Sequence, residues 1–223
     1  LRTQIAPIHD VVRMLGWTVL AIPGVEADDV IGTLSTAAAR QGIKVVISSG
    51  DKDLSQLVDA HVTIIDTMNG KQRDVSGVTA EFGVPPQLMV DFQALVGDSV
   101  DNIPGVPKVG AKTAAKWLMQ YGSLDAVVAN AGEIKGVVGE NLRNALEWLP
   151  TARQPVTIKT DCDLSAYLPD LPAMESIAIS AQQTGALRDF YQKYGFKGLA
   201  HALGAAPVAA AKPAAPLGKK KDD

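Results

Sequence analysis

The chain is short of the residues that most often announce chemistry, with one cysteine and three histidines among 223 residues. A lone Cys162 forms no internal disulfide, and so few Cys and His leave no zinc centre of the usual kind; a reducing compartment fits this usage. No apolar run approaches the roughly 20 residues that a membrane span requires, and the opening lacks the basic-then-apolar pattern of a signal peptide. A basic excess is missing too. The formal net charge of -3 means that any nucleic-acid contact must be local rather than a general coating. Aromatic residues make up 5% of the chain, and no row of them interleaves the lysines.

What is present is a hydrophobic content of 47%, enough for one substantial core and a small second lobe. Ile5, Ile8, Val12 and Leu15 recur at helical spacing from the first residues, so the sequence reads as starting inside a fold. Trp17–Ile22 is expected to be a short strand, turned by Pro23-Gly24 into a helix over Val25–Arg40. Ile43–Ser48 reads as a buried parallel strand that leads into Gly50-Asp51-Lys52-Asp53 and a helix from Leu54. A strand over Val62–Asp66, a turn at Asn69-Gly70 and helices near Val78–Phe82 and Gln87–Val96 complete an α/β front half over residues 1–96. From Gly97 the pattern predicts a helical lobe over 97–203, with a helix at Gly185–Tyr194. Residues 204–223 are Ala/Pro/Lys-rich and read as a disordered linker.

Three acidic clusters fall at element ends: Glu26, Asp28 and Asp29; Asp51 and Asp53; Asp98 and Asp101. Each has an ordinary explanation, because acids suit the first turn of a helix and Asp commonly caps one. In an open parallel sheet, however, ligands gather beyond the carboxyl ends of the strands, where the first two clusters fall. Carboxylates brought that close repel unless cations or protons intervene. Oxygen-only ligation suits Mg2+ or Mn2+, and a carboxylate-rich site for two such ions suits in-line displacement at phosphorus.

Ile103 to Ala114 has the layout of two helices joined by a tight glycine turn. Gly105 and Gly110 would let backbone approach something closely, and a helix starting near Gly110 points N–H groups at an anion such as a DNA phosphate. Lys108, Lys112 and Thr113 would add contacts that carry no sequence information. An ordinary helix-to-helix turn with solvent-facing lysines remains open at this point. Trp117 and Trp148 read as core, and His9, His61 and His201 have no partners at ligand spacing.

The segments Gly24-Val25-Glu26-Ala27-Asp28-Asp29, Ser49-Gly50-Asp51-Lys52-Asp53 and Gly97-Asp98-Ser99-Val100-Asp101-Asn102-Ile103-Pro104-Gly105 together resemble the 5′ nuclease domain of the bacterial DNA polymerase I family. Ile158-Lys159-Thr160-Asp161 and Tyr194-Gly195-Phe196-Lys197 extend the likeness almost to residue 204. The resemblance implies an incomplete parallel-sheet core of the PIN/flap-endonuclease-like type followed by a helix-hairpin-helix lobe. Glu26, Asp28, Asp51, Asp53, Asp98 and Asp101 would then be catalytic and metal-binding, with Asp29 a further ligand. Gly105, Val106, Lys108, Val109, Gly110, Lys112 and Thr113 would hold duplex DNA. Backbone carbonyls of Pro104, Val106 and Val109 would offer a potassium site.

The implied substrates are DNA with a 5′ flap, nick or branch and RNA primers on DNA. The implied setting is a monomeric region of a bacterial cytoplasmic, nucleoid-associated protein, linked to proofreading and polymerising domains. The resemblance also implies further metal-binding acids and a basic, aromatic arch ahead of Leu1, so this chain alone is expected to cleave weakly or not at all. Two rivals stand beside that expectation: a catalytically silent, structure-selective DNA-binding fragment, and a metal phosphatase for small phosphoesters, which has no use for residues 105–113.

Overall fold

The computed structural model describes residues 2–99 and 102–203, and these fall into two compact units, residues 21–176 and a smaller one of residues 2–20 with 177–203. Asp101 and the expected linker of residues 204–223 lie outside the described residues. In the smaller unit, α1 (Arg2–Met14) carries the expected apolar stripe, yet Ile5 and Ile8 are 51% and 55% exposed. Residues 17–22 form no strand, a correction to the reading above. A strand exists only through its ladder, and these residues pair with no other strand among the described residues; Trp17 is left 56% exposed.

The larger unit opens with α2 (Ala27–Arg40), which starts later than Val25 because Glu26 is its N-cap, with extended backbone at φ -71 and ψ 151. α2 buries Val30 and Ala38 and leads to β1 (Val45–Ser48), which lies parallel to β2 (Val62–Asp66) with Val45 opposite Val62. β3 (Lys71–Arg73) then returns antiparallel through the Asn69-Gly70 turn, so the sheet is mixed, in the order β1-β2-β3, rather than purely parallel. β1 is shorter and less buried than its composition suggested: Ile47 is buried, but Val46 on the opposite face is 61% exposed. One face of this small sheet supports the core, through Ile47, Val62 and Ile64.

α3 (Val75–Phe82) is capped by Asp74, whose Oδ1 accepts from the Gly77 N–H at 2.7 Å, a contact typically worth ~1 kcal/mol. α4 (Met89–Val96) and α5 (Ala111–Tyr121) pack together, joined by residues 97–110. Among its described residues this connector holds no regular helix, whereas two helices joined by a tight glycine turn were expected over residues 103–114. Pro104 and Pro107 withhold N–H donors, while Asn102 and Lys108 adopt positive φ of 55 and 65. Asp98 and Ile103 exchange backbone hydrogen bonds at 2.9 and 2.7 Å, and Val106 N–H donates to Leu95 O at 2.9 Å.

α6 (Leu124–Ala129), α7 (Gly136–Ala145) and α8 (Arg153–Val156) follow. Arg153 ties α8 to α4 and α6: its Nε donates to Asp91 Oδ1 at 2.6 Å and its Nη1 to Asp125 at 2.9 Å, while Asp91 Oδ2 accepts from Leu124 N–H at 2.8 Å. One apolar cluster runs from Ile47 through Leu95, Val106, Val109, Trp117 and Leu118 to Ile158, with Trp148 packed on it. In the smaller unit α9 (Thr184–Lys193), close to the expected Gly185–Tyr194, and α10 (Lys197–Ala202) complete the described chain. None of the described helices is long and apolar enough to cross a membrane.

Candidate functional site: an acidic cavity beside a glycine connector

α2 begins at Ala27 just past Glu26, and β1 ends at Ser48 just before Asp51, so two acidic segments distant in sequence reach one place. Glu26, Asp28, Asp29, Asp51 and Asp53 line a single cavity of about 450 Å3, whose other walls are Ile103 and residues 155–158. Among the described residues, however, no three acidic, His or Cys side chains meet at one metal-sized point. The acids share a chamber, with their oxygens apart.

Several of these acids also do structural work: Asp51 braces a turn as its ordinary reading had it, while Asp29 and Asp53 hold partners distant in sequence. Asp51 Oδ1 accepts from Asp53 N–H at 2.9 Å and so starts the short 3-10 helix Asp53–Leu57. Asp29 is buried; its Oδ1 accepts from Lys159 N–H at 2.9 Å, and its Oδ2 lies 3.3 Å from Lys159 Nζ. Asp53 Oδ1 accepts a short hydrogen bond from Gln93 Nε2, and Gln93 Oε1 is left buried with no partner.

Asp98, 7% exposed, meets Lys52 Nζ at 2.5 Å. The hydrogen bond to Asp98 raises the Lys52 pKa against the cost of burial, helped by the fields of Asp98, Asp53 and Asp51. Lys159 is likewise raised, first by its hydrogen bond to Asp29. Lys52 thus links Asp98 to Asp51 and Asp53, which share the cavity with Glu26, Asp28 and Asp29, while Asp101 lies outside the described residues.

Three supports escaped the sequence reading. Arg73 on β3, buried, donates to Asp51 O at 3.1 Å and is itself held by Glu81 at 2.7 Å, so a guanidinium braces the acidic loop from behind. Gln56 donates to Val156 O and accepts from Ile158 N–H, both at 2.9 Å, which fixes a cavity wall. α2 approaches that wall at Gly32, where a Cβ would stand 2.7 Å from Lys159 O. Pairings across such sequence separations leave no local signature.

The connector's glycines sit at a close approach and at a helix start. A Cβ on Gly105 would stand 2.0 Å from Val96 O, and one on Gly97 2.3 Å from Gly105 N, so the close approach is to the chain's own backbone. Gly110 is the α5 N-cap, with nothing within 4 Å of an added Cβ. Val106 and Val109 are buried anchors, and Val106 O accepts from Val109 N–H at 3.0 Å. Lys112 and Thr113 sit on the first turn of α5 and, with Lys116, Trp117 and Lys135, line a groove of about 580 Å3; Lys116 and Lys135 were not foreseen.

Known proteins agree with this architecture. The 5'-3' exonuclease N-terminal resolvase-like domain matches residues 1–83, and the 5'-3' exonuclease C-terminal SAM fold matches residues 84–177. The chain belongs to the 5'-3' exonuclease family. It is 44% identical over 209 residues to DNA polymerase I of Pseudomonas aeruginosa and 41% over 171 residues to that of Mycobacterium tuberculosis, covering 88% and 75% of this chain. It spans only 22% and 19% of those two polymerases, and 57% of a Buchnera aphidicola 5'-3' exonuclease to which it is 37% identical.

The fold is shared with T5 5'-exonuclease bound to zinc, at a TM-score of 0.57 and 22% identity over 78% of this chain and 60% of that one. It is shared also with the catalytic core of Rad2 in complex with DNA substrate, at 0.57 and 13% over 91% and 70%.

Proposed function

We propose that this chain forms the dication-binding and duplex-holding part of a 5′ nuclease that hydrolyses phosphodiesters at 5′ flaps, nicks and RNA primers, within a longer bacterial DNA polymerase I. The observation that carries the reading is the cavity shared by Glu26, Asp28, Asp29, Asp51 and Asp53. An all-oxygen donor set with no His or Cys fits Mg2+ or Mn2+. The buried, unpartnered Gln93 Oε1 beside Asp53 is an acceptor that the waters of a hydrated cation would satisfy.

Bound dications, two in this reading, would supply the charge that lowers the pKa of an attacking water and steadies the departing oxygen. The protein's part is to hold Glu26, Asp28, Asp29, Asp51, Asp53, Asp98 and Asp101 around that place, with Arg73 and Gln93 fixing Asp51 and Asp53. The connector places the duplex: Gly105 to Gly110 set the entry of α5, Lys108, Lys112 and Thr113 meet phosphates, and carbonyls of Pro104, Val106 and Val109 would accept a potassium ion. We place the protein in the bacterial cytoplasm as a monomer.

The test is release of a 5′-labelled flap by the longer protein with Asp98→Asn and Asp51→Asn, in Mg2+. A loss on the order of 1,000-fold in kcat for each is expected, and cleavage unchanged in both would remove the assignment. A second reading, that the chain by itself binds branched DNA without turnover, draws support from the separation of its described acids. Branched duplex titrated against this chain across salt, with and without EDTA, should then bind with a steep salt slope and remain uncut.

A further inference from the structure

Lys52 is the one residue of the acidic loop Asp51-Lys52-Asp53 that carries positive charge, and its ammonium lies against Asp98 rather than in open water. The two partners are unequal: the Asp98 side chain is 7% exposed and Lys52 44%. Asp98 is bonded into the connector through its backbone and its carboxylate is buried, whereas Lys52 sits on a flexible four-carbon stem that can turn to solvent. The same ammonium feels Asp51 and Asp53, so one positive charge faces three negative ones. A structural ion pair would need one cation for one acid. A dication drawn to the same carboxylates would compete with that ammonium for them.

We propose that Lys52 is a resident counter-ion of the acidic site: it neutralises the buried Asp98 carboxylate in the dication-free protein and is expelled when a dication takes its place. The inference rests on the reading of Asp98 as a dication ligand. Lys52 is thus a competitor of the metal, and its charge sets how tightly the site loads. Lys159 offers an internal contrast, since it pairs with Asp29 but its side chain is 71% exposed and easily screened.

Mn2+ binding to this chain, followed by calorimetry and by electron paramagnetic resonance, tests the idea on wild type, Lys52→Met, Lys52→Arg and Lys159→Met. Lys52→Met should bind Mn2+ about fivefold to tenfold more tightly, because no ammonium has to leave. Its melting temperature should be lower than wild type without metal and should rise more on adding Mn2+, since the ion replaces the lost positive charge beside the Asp98 carboxylate. Lys52→Arg keeps the charge and should stay within about twofold of wild type, and Lys159→Met likewise.

Equal or weaker Mn2+ binding by Lys52→Met overturns the inference while leaving the dication reading intact. So does a gain in Lys159→Met as large as in Lys52→Met, which would indicate a general field rather than the Asp98 pair. Failure of all four proteins to bind Mn2+ overturns the dication reading and this inference with it.

Discussion

The acidic cavity and the glycine connector are built on opposite plans. In the cavity the backbone is ordinary and side chains carry the work: Asp51 caps a turn and Asp29 pins a wall while both border one chamber, and Asp98 holds the lysine of the neighbouring loop. In the connector the backbone packs on itself between the buried anchors Val106 and Val109, with Gly97, Gly105 and the Val96 carbonyl at distances that admit no Cβ. Deleting atoms should therefore damage the first region, and adding atoms should damage the second.

The sharpest way to break that contrast is to add one methyl group at each of two connector glycines. Gly105→Ala, with its Cβ 2.0 Å from Val96 O, should destabilise the chain by about 3 kcal/mol or more in denaturant unfolding. Gly110→Ala, with open space around it and φ -100, should stay within about 0.5 kcal/mol. Equal effects would mean that the connector is not shaped by backbone contact.

In the cavity region, Glu81→Gln removes the carboxylate that holds buried Arg73 behind Asp51. The loss should fall near or below the lower end of the ~3–5 kcal/mol typical of broken buried pairs, since Glu81 is partly exposed. The hydrogen bond from Arg73, then those from Lys71, hold the Glu81 carboxyl below its ordinary pKa of 4.5. A depressed acid contributes stability that is full above its ordinary value and disappears as pH falls through the lowered one. The melting gap between wild type and Glu81→Gln should be widest near neutrality and close as pH drops well below 4.5; a gap independent of pH would contradict the pair.

The smallest effect is expected on the groove beside the connector. Lys112→Ala and Lys116→Ala should each weaken duplex binding evenly across sequences and reduce the slope of log affinity against log salt by about one. An unchanged slope would leave the groove without a role in holding DNA.

Much of the cavity was legible because carboxylates at element ends are conspicuous and α/β order says where such ends collect. What escaped reading was everything that braces them. Arg73 lies in a strand of three residues, all polar, which gives no alternation to notice, and its bond to Asp51 spans the whole of β2. Lys52 is plain in the sequence, but its partner lies beyond two intervening helices. Residues 17–22 have strand-like composition and no ladder, since propensity cannot supply a neighbour. Gly105 was singled out for a close backbone approach, and the structure has one to the chain's own Val96 carbonyl: a residue without a Cβ reports that something comes close and not whether that something is a ligand or the next turn of the same chain.

The strip of residues 156–162 starts in the wall of the acidic chamber. It is sutured to α2 and the 3-10 turn by Gln56, Asp29 and Thr33, the latter two across 130 and 129 positions of sequence. The mouth of the acidic chamber therefore cannot gape by bending one loop: widening it means unfastening several anchors at once, and its aperture is fixed when distant stretches of chain come home in folding.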